Sequence, residues 1–204
     1  MSLLPIYLYG SEVLRQKARP VKDLDNETIK LIYDLFDTMY KSNGVGLAAT
    51  QVGEMKRVIV VDVTPIEEEQ EGPDKEKPRA EVNQPQKLAL INPEVLERSG
   101  SWTLEEGCLS IPDVRGDVDR PETVRIRFRN ANFEEVELEA TGFLARVILH
   151  EIDHLDGVLF IDYLSSTKRG LLRSKLKKIK KGEVETTYPV VTASAPRRSG
   201  KVEV

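Results

Sequence analysis

The sequence predicts an α+β domain, and three observations carry that prediction. Short β-branched runs are bounded by turn residues, one helical stretch is too apolar to face water, and amphipathic helical stretches lie toward both ends of the chain.

Taken in order, residues 24–44 place Ile29, Ile32, Tyr33, Phe36, Met39 and Tyr40 at three- and four-residue steps behind an Asp25/Asn26 cap. This predicts an amphipathic helix stopped by Asn43-Gly44. Arg57–Val63, RVIVVDV, reads as a buried strand, and Leu88–Ile91 begins another before Pro93. Val124–Phe128 alternates apolar and basic residues, after which Asn130-Ala131-Asn132 turns the chain toward Val136 and Leu138 in a predicted hairpin. Phe143–Leu155, FLARVILHEIDHL, is apolar on nearly all sides until Asp156-Gly157, so this helix belongs in the interior. Residues 165–182 hold eight Lys and Arg and no acid, with Leu171, Leu172, Leu176 and Ile179 spaced as one stripe that should pack on the domain. They predict a basic amphipathic helix.

Two stretches lack a folding pattern. Residues 66–81, within an acidic insert of about 66–86, carry seven acids, a glycine and two prolines, which predicts a solvated, mobile loop without a catalytic part. Residues 183–204 are rich in Thr, Ser, Pro and Arg and are expected to form a disordered tail. The remainder, residues 1–182, is read as one catalytic domain, because 204 residues suffice for one well-packed core while two would be marginal.

Composition narrows the function classes. No apolar run approaches the roughly 20 residues of a bilayer span, and the opening MSLLPIYLYGSEVLRQKA lacks a basic leader, so the expectation is a cytoplasmic protein with no membrane partner. A net charge of −4 is too mild for general nucleic-acid affinity, and no DNA partner is expected. The single cysteine, Cys108, cannot close an intramolecular disulfide, which fits a reducing compartment.

The chemistry is concentrated in HEIDH, residues 150–154, which contains both histidines of the chain. On a helix, residues four apart differ by about 40° of rotation and about 6 Å of rise, so His150 and His154 point the same way and can share a metal ion. Glu151 lies close enough to handle the protons of a metal-activated water. The plainer alternative is a chance pair of core histidines. Two imidazoles leave a tetrahedral metal short of a ligand, and Cys108 or a carboxylate can supply it; the plainer reading of Cys108 is a small buried hydrophobe. A third stretch, GVGLAATQVG from Gly44 to Gly53, fits no phosphate-binding loop. It offers closely approachable backbone and one amide, Gln51, or simply a tight turn between helix and strand.

Three blocks, G-V-G-L-A-A-T-Q-V-G, E-G-C-L-S-I-P and H-E-I-D-H-L-D-G, occur in this order and resemble the signature motifs of the bacterial peptide deformylase family. The similarity extends from about Pro5 to about Leu176. The resemblance implies antiparallel β-sheets surrounding the buried central motif helix. It further implies one divalent metal on Cys108, His150 and His154, natively Fe(II), for which Zn, Ni or Co can substitute. Glu151 would be the general base and acid, and the Gln51 amide with the Leu109 backbone N–H would stabilise the oxyanion. Val45, Gly46, Glu106, Arg115 and Val147 would meet the substrate, an N-formyl-methionyl nascent peptide; Arg146 stands where some relatives carry an aliphatic residue. The ribosome is the implied partner, with ribosomal RNA contacted through the basic helix 165–182. Two other readings compete: a zinc endopeptidase, and a ribosome- or RNA-binding module whose metal is structural and closed by four protein ligands.

Overall fold

The computed structural model describes residues 3–64, 85 and 87–193. The acidic stretch 66–81 and residues 194–204 lie outside the described residues. The elements are β1 (Ile6–Tyr7), α1 (Asn26–Lys41), β2 (Gly46–Ala48), β3 (Val58–Asp62), β4 (Lys87–Ser99), β5 (Trp102–Cys108), β6 (Ile111–Arg120), β7 (Thr123–Arg129), β8 (Glu135–Thr141), α2 (Gly142–Leu155), α3 (Ser166–Lys181) and β9 (Val190–Val191). Among the described residues, β2-β3-β4-β7-β8 form an antiparallel sheet, β5 and β6 form a hairpin, and β1 pairs in parallel with β9. The expected α+β class is borne out.

The strand β3 explains how the layers stack. Its apolar residues do not alternate with polar ones because both faces are covered: Ile59 and Val61 join the cluster built on α2, whereas Val58 and Val60 join the cluster built on α1. The two helices therefore sandwich the sheet. A third cluster ties β6 and α3 together through Ile111, Val114, Val118, Phe160, Leu176 and Ile179. The helix α2 is thereby the central element, and eleven of its 14 residues are buried.

The helix α1 begins where expected, with the Asp25 carboxylate accepting the Thr28 N–H at 2.7 Å. Its buried face is shifted from the predicted stripe, however. Leu31, Ile32, Leu35 and Met39 are buried, while Ile29, Tyr33 and Tyr40 are exposed. Two of the aromatic residues meet polar partners: the Tyr40 hydroxyl donates to Asp62 at 2.6 Å, and Lys87 lies over the Phe36 and Tyr40 rings. The strand β4 runs past Pro93 because the ladder bulges there, with Asn92 at φ +52° and register shifts on either side of Glu94 and Val95.

Two expectations about the C-terminal region are corrected. Leu171 is 81% exposed, so the α3 stripe that packs on the domain is limited to Leu176 and Ile179, with Leu172 half-buried. Residues 183–193, expected in the disordered tail, are ordered. Gly182 caps α3 in the left-handed region, and the chain then returns to pair Val190 and Val191 with Ile6 and Tyr7. Among the described residues no helix is long and apolar enough to cross a membrane.

Candidate metal centre

The sulfur of Cys108 and the ring nitrogens of His150 and His154 lie within 4.8 Å of one another. Each arrives from a local necessity. Cys108 ends β5 immediately before the two-residue turn Leu109-Ser110, which returns the chain so that Cys108 pairs with Ile111. The helical four-residue step stacks the two imidazoles edge to face, with ring centroids 5.0 Å apart. His154 Nε2 stands 3.2 Å from Cys108 Sγ.

His150 is held by its other nitrogen. Nδ1 lies 2.9 Å from Glu106 Oε2, and since a carboxylate only accepts, Nδ1 carries the proton and Nε2 is left for a metal. Glu106 also accepts from Arg120 at 2.6 and 3.0 Å and from Arg146 at 2.6 Å. Burial would raise its carboxyl, but hydrogen bonds from His150 and Arg120 outweigh that and hold it down at about 2. Arg120 reaches on to Asp153 at 2.8 Å, and Arg146 bonds the carbonyls of Val118 and Trp102 with its guanidinium over the Trp102 ring. Glu106 borders the cavity, yet the carboxylate expected at the substrate is committed to this network. The reason is electrostatic: two buried guanidiniums beside it require an anion.

Glu151 is buried, and its Oε2 has no hydrogen-bond partner among the described residues. Burial pushes its carboxyl up to about 7, against the pull of His150 and Arg120. A dication nearby would draw it back down. Such a group could take and return a proton. Gly46 is what admits it, because a Cβ there would lie 2.5 Å from Glu151 Oε1.

Gln51 is oriented by the backbone. Its Oε1 accepts the Ala48 N–H at 2.8 Å, which turns Nε2 toward Ser110 Oγ at 3.3 Å and Cys108 Sγ at 3.5 Å. These groups open on a cavity of about 650 Å³ bordered by Val45, Gly46, Gln51, Glu106, Cys108, Leu109, Arg115, Val147, His150 and Glu151, so every anticipated residue except His154 borders it. His154 lies behind Cys108 and is 1% exposed. Reasoning from sequence missed Arg120, the Glu106–His150 contact, and the border formed by Glu185, Thr186, Thr187 and Tyr188. A lone thiol and two imidazoles converging in the interior, beside an unpartnered buried carboxylate, fit a divalent metal with a proton-transferring group at hand.

The polypeptide deformylase family model matches residues 3–170. The peptide deformylase of Salinibacter ruber is 49% identical over 194 residues, covering 93% of this chain and 95% of that protein. That of Prosthecochloris aestuarii is 42% identical over 188 residues, covering 92% and 94%. Among solved structures, the peptide deformylase of Ehrlichia chaffeensis superposes with a TM-score of 0.76 at 34% identity, covering 89% of this chain and 99% of that one.

Proposed function

The chain belongs to the polypeptide deformylase family, and on that premise we propose how its residues divide the work of removing the N-formyl group from the methionine that opens a nascent polypeptide. Cys108, His150 and His154 would hold the metal. A divalent ion there supplies positive charge that acidifies water and polarises the formyl carbonyl. Glu151 takes the proton from the attacking water and delivers it to the departing amine as the C–N bond breaks, so that formate and a free methionine amine leave. The Gln51 amide and the Leu109 N–H donate to the oxygen that gains charge in the transition state. Gly46, Val45 and Val147 border the space beside Glu151 where the methionine end binds, and β2, an edge strand of its sheet, offers backbone groups to an extended peptide. Arg115 meets the chain further along.

The observation that carries this assignment is the orphaned Glu151 carboxylate beside an incomplete ligand set of one thiol and two imidazoles. A structural metal site closed by four protein ligands would have no use for it. The ion is ferrous iron, with zinc, nickel or cobalt able to replace it; an Fe(II)-thiolate centre loses activity in air through oxidation of the thiolate or the iron. The reaction takes place in the cytoplasm at the ribosome, where the eight cations of 165–182, borne on α3, contact ribosomal RNA. Salt-sensitive pelleting with ribosomes, lost on charge reversal of α3, tests that contact.

The deciding experiment is anaerobic turnover of a formyl-methionyl tripeptide by iron-loaded protein, with acetylated and free-amine peptides as controls and Glu151→Ala alongside. Formate released from the formyl peptide alone, and lost in the variant, is the expected result. No release from a folded, metal-loaded sample would overturn the assignment.

A further inference from the structure

The segment between α3 and β9 has no part in the chemistry above, yet it forms one side of the same cavity through Glu185, Thr186, Thr187 and Tyr188. It is held firmly. Pro189 and Val191 carbonyls accept the Ile6 and Leu8 N–H groups at 2.9 and 2.8 Å, and the Thr186 hydroxyl donates to the Tyr188 carbonyl at 2.8 Å. The Tyr188 hydroxyl donates to the Leu109 carbonyl at 2.8 Å, so the segment is fastened to the turn beside the metal ligands. Burial and the nearby Cys108 and Asp113 push the Tyr188 hydroxyl up to about 12, which keeps it a donor.

Charge gives this wall a direction. The exposed acids lining the cavity are Glu105, Asp113 and Glu185, against one exposed base, Arg115. Lys175 donates to the Asp113 carbonyl at 3.0 Å and offsets part of that excess. Glu185 has no ion-pair partner among the described residues, so its charge is available to whatever occupies the cavity.

We propose that Glu185–Tyr188 is a specificity-determining wall for the part of the substrate beyond the formyl-methionine, and that Glu185 favours a basic side chain there. The inference rests on the deformylase reading of the site. With the formyl carbon beside Glu151 and Cys108, each further residue of an extended peptide advances about 3.3 Å, and Glu185, exposed on the border of the same cavity, is a charge that such a chain can meet.

The test compares kcat/KM for formyl-Met-Ala-Lys and formyl-Met-Ala-Glu amides with the full-length, metal-loaded protein and its Glu185→Lys variant at low ionic strength. The parent should prefer the lysine peptide. Charge reversal alters four pairings at once, each worth about two-fold for an exposed pair, so the ratio should fall about 16-fold and the difference should shrink as salt is added. An unchanged ratio, including one accompanied by an equal loss on both peptides, would overturn the proposal by making the segment merely structural. Formate from neither peptide with the parent protein would instead overturn the deformylase reading beneath it.

Discussion

Replacing Gly46 with alanine should disable proton transfer while leaving the metal in place. The added Cβ would lie 2.5 Å from Glu151 Oε1 and 2.9 Å from both Glu151 Cγ and Val147 Cγ1. Carbon contacts settle at about 3.5–4.0 Å, so about an ångström of separation must be found. Val147 sits on the buried central helix and cannot yield it; the Glu151 carboxylate, with its Oε2 unpartnered, can. A shift of that size in a reacting group costs roughly 100-fold in rate, or about 2.7 kcal/mol of transition-state stabilisation. Overpacking adds about 1–3 kcal/mol of lost stability. The assay is formate release for kcat and KM, with metal content and thermal midpoint measured on the same sample. We expect kcat to fall roughly 100-fold with metal content unchanged. A folded variant with kcat near the parent value would refute the reasoning, and so would a rise in KM alone, which would mean that the methyl meets substrate and not Glu151.

Three further substitutions probe the supports of the site. Tyr188→Phe removes one hydrogen bond to the Leu109 carbonyl, worth about 1 kcal/mol, and should lower kcat roughly fivefold with little change in KM; an unaltered kcat would show that Leu109 holds its place unaided. Glu106→Ala leaves Arg146 without its anion, Arg120 with only Asp153 and His150 without its orienting acceptor, so chelator competition should report a roughly 10- to 100-fold loss of metal affinity, and denaturation a loss of about 3–5 kcal/mol. Affinity equal to the parent's would dismiss the orienting role. Arg15→Ala addresses pH. Burial would raise the Asp162 carboxyl, but the Arg15 guanidinium and the Leu159 N–H hold it below its ordinary 3.8. A depressed folded pKa stabilises above the unfolded value and loses that contribution as pH falls through the folded one. The variant should therefore be less stable than the parent at pH 7, with the gap narrowing below about pH 4 in urea titrations; a gap that stays constant down to pH 3 would be inconsistent with this pairing.

What was legible in the sequence depended on repetition within a short window. The central helix and the strands β3 and β7 each declare themselves through a local pattern of apolar residues, and their bounds came out within one or two residues, while β8, expected around Val136 and Leu138, runs on to Thr141. The face of α1 did not, because Ile29, Tyr33 and Tyr40 count as apolar in any periodicity yet stand exposed, the two tyrosines with hydroxyls that suit the surface. The parallel pairing of β1 with β9 was invisible for another reason. Two-residue strands more than 180 positions apart carry no pattern of their own, and only closure of the whole chain brings Ile6 to Val190.

In the site, the side chains proposed as metal ligands were legible and the groups that hold them were not, and the difference is physical. A ligand set is restricted by the chemistry of a dication to a few residue types, so the two histidines at the helical step pointed to a metal, while the third ligand stayed open between Cys108 and a carboxylate until the family resemblance chose Cys108. A support is restricted only by geometry. Glu106 could equally have faced the peptide, and nothing in its neighbours announces that Arg120, 14 residues on across the hairpin, and Arg146, on the helix α2, converge on it. Their meeting follows from burying α2. A helix that carries His150, Glu151, Asp153 and Arg146 into the interior must find each a partner, since an isolated buried charge is far costlier than a paired one. Arg146 and Asp153 are answered through Glu106 and Arg120, and His150 through Glu106. Among the described residues, Glu151 Oε2 is the buried carboxylate oxygen of this helix left without a partner, and Glu151 borders the cavity, so the same network that answers the helix's other charges leaves free the one carboxylate proposed to act.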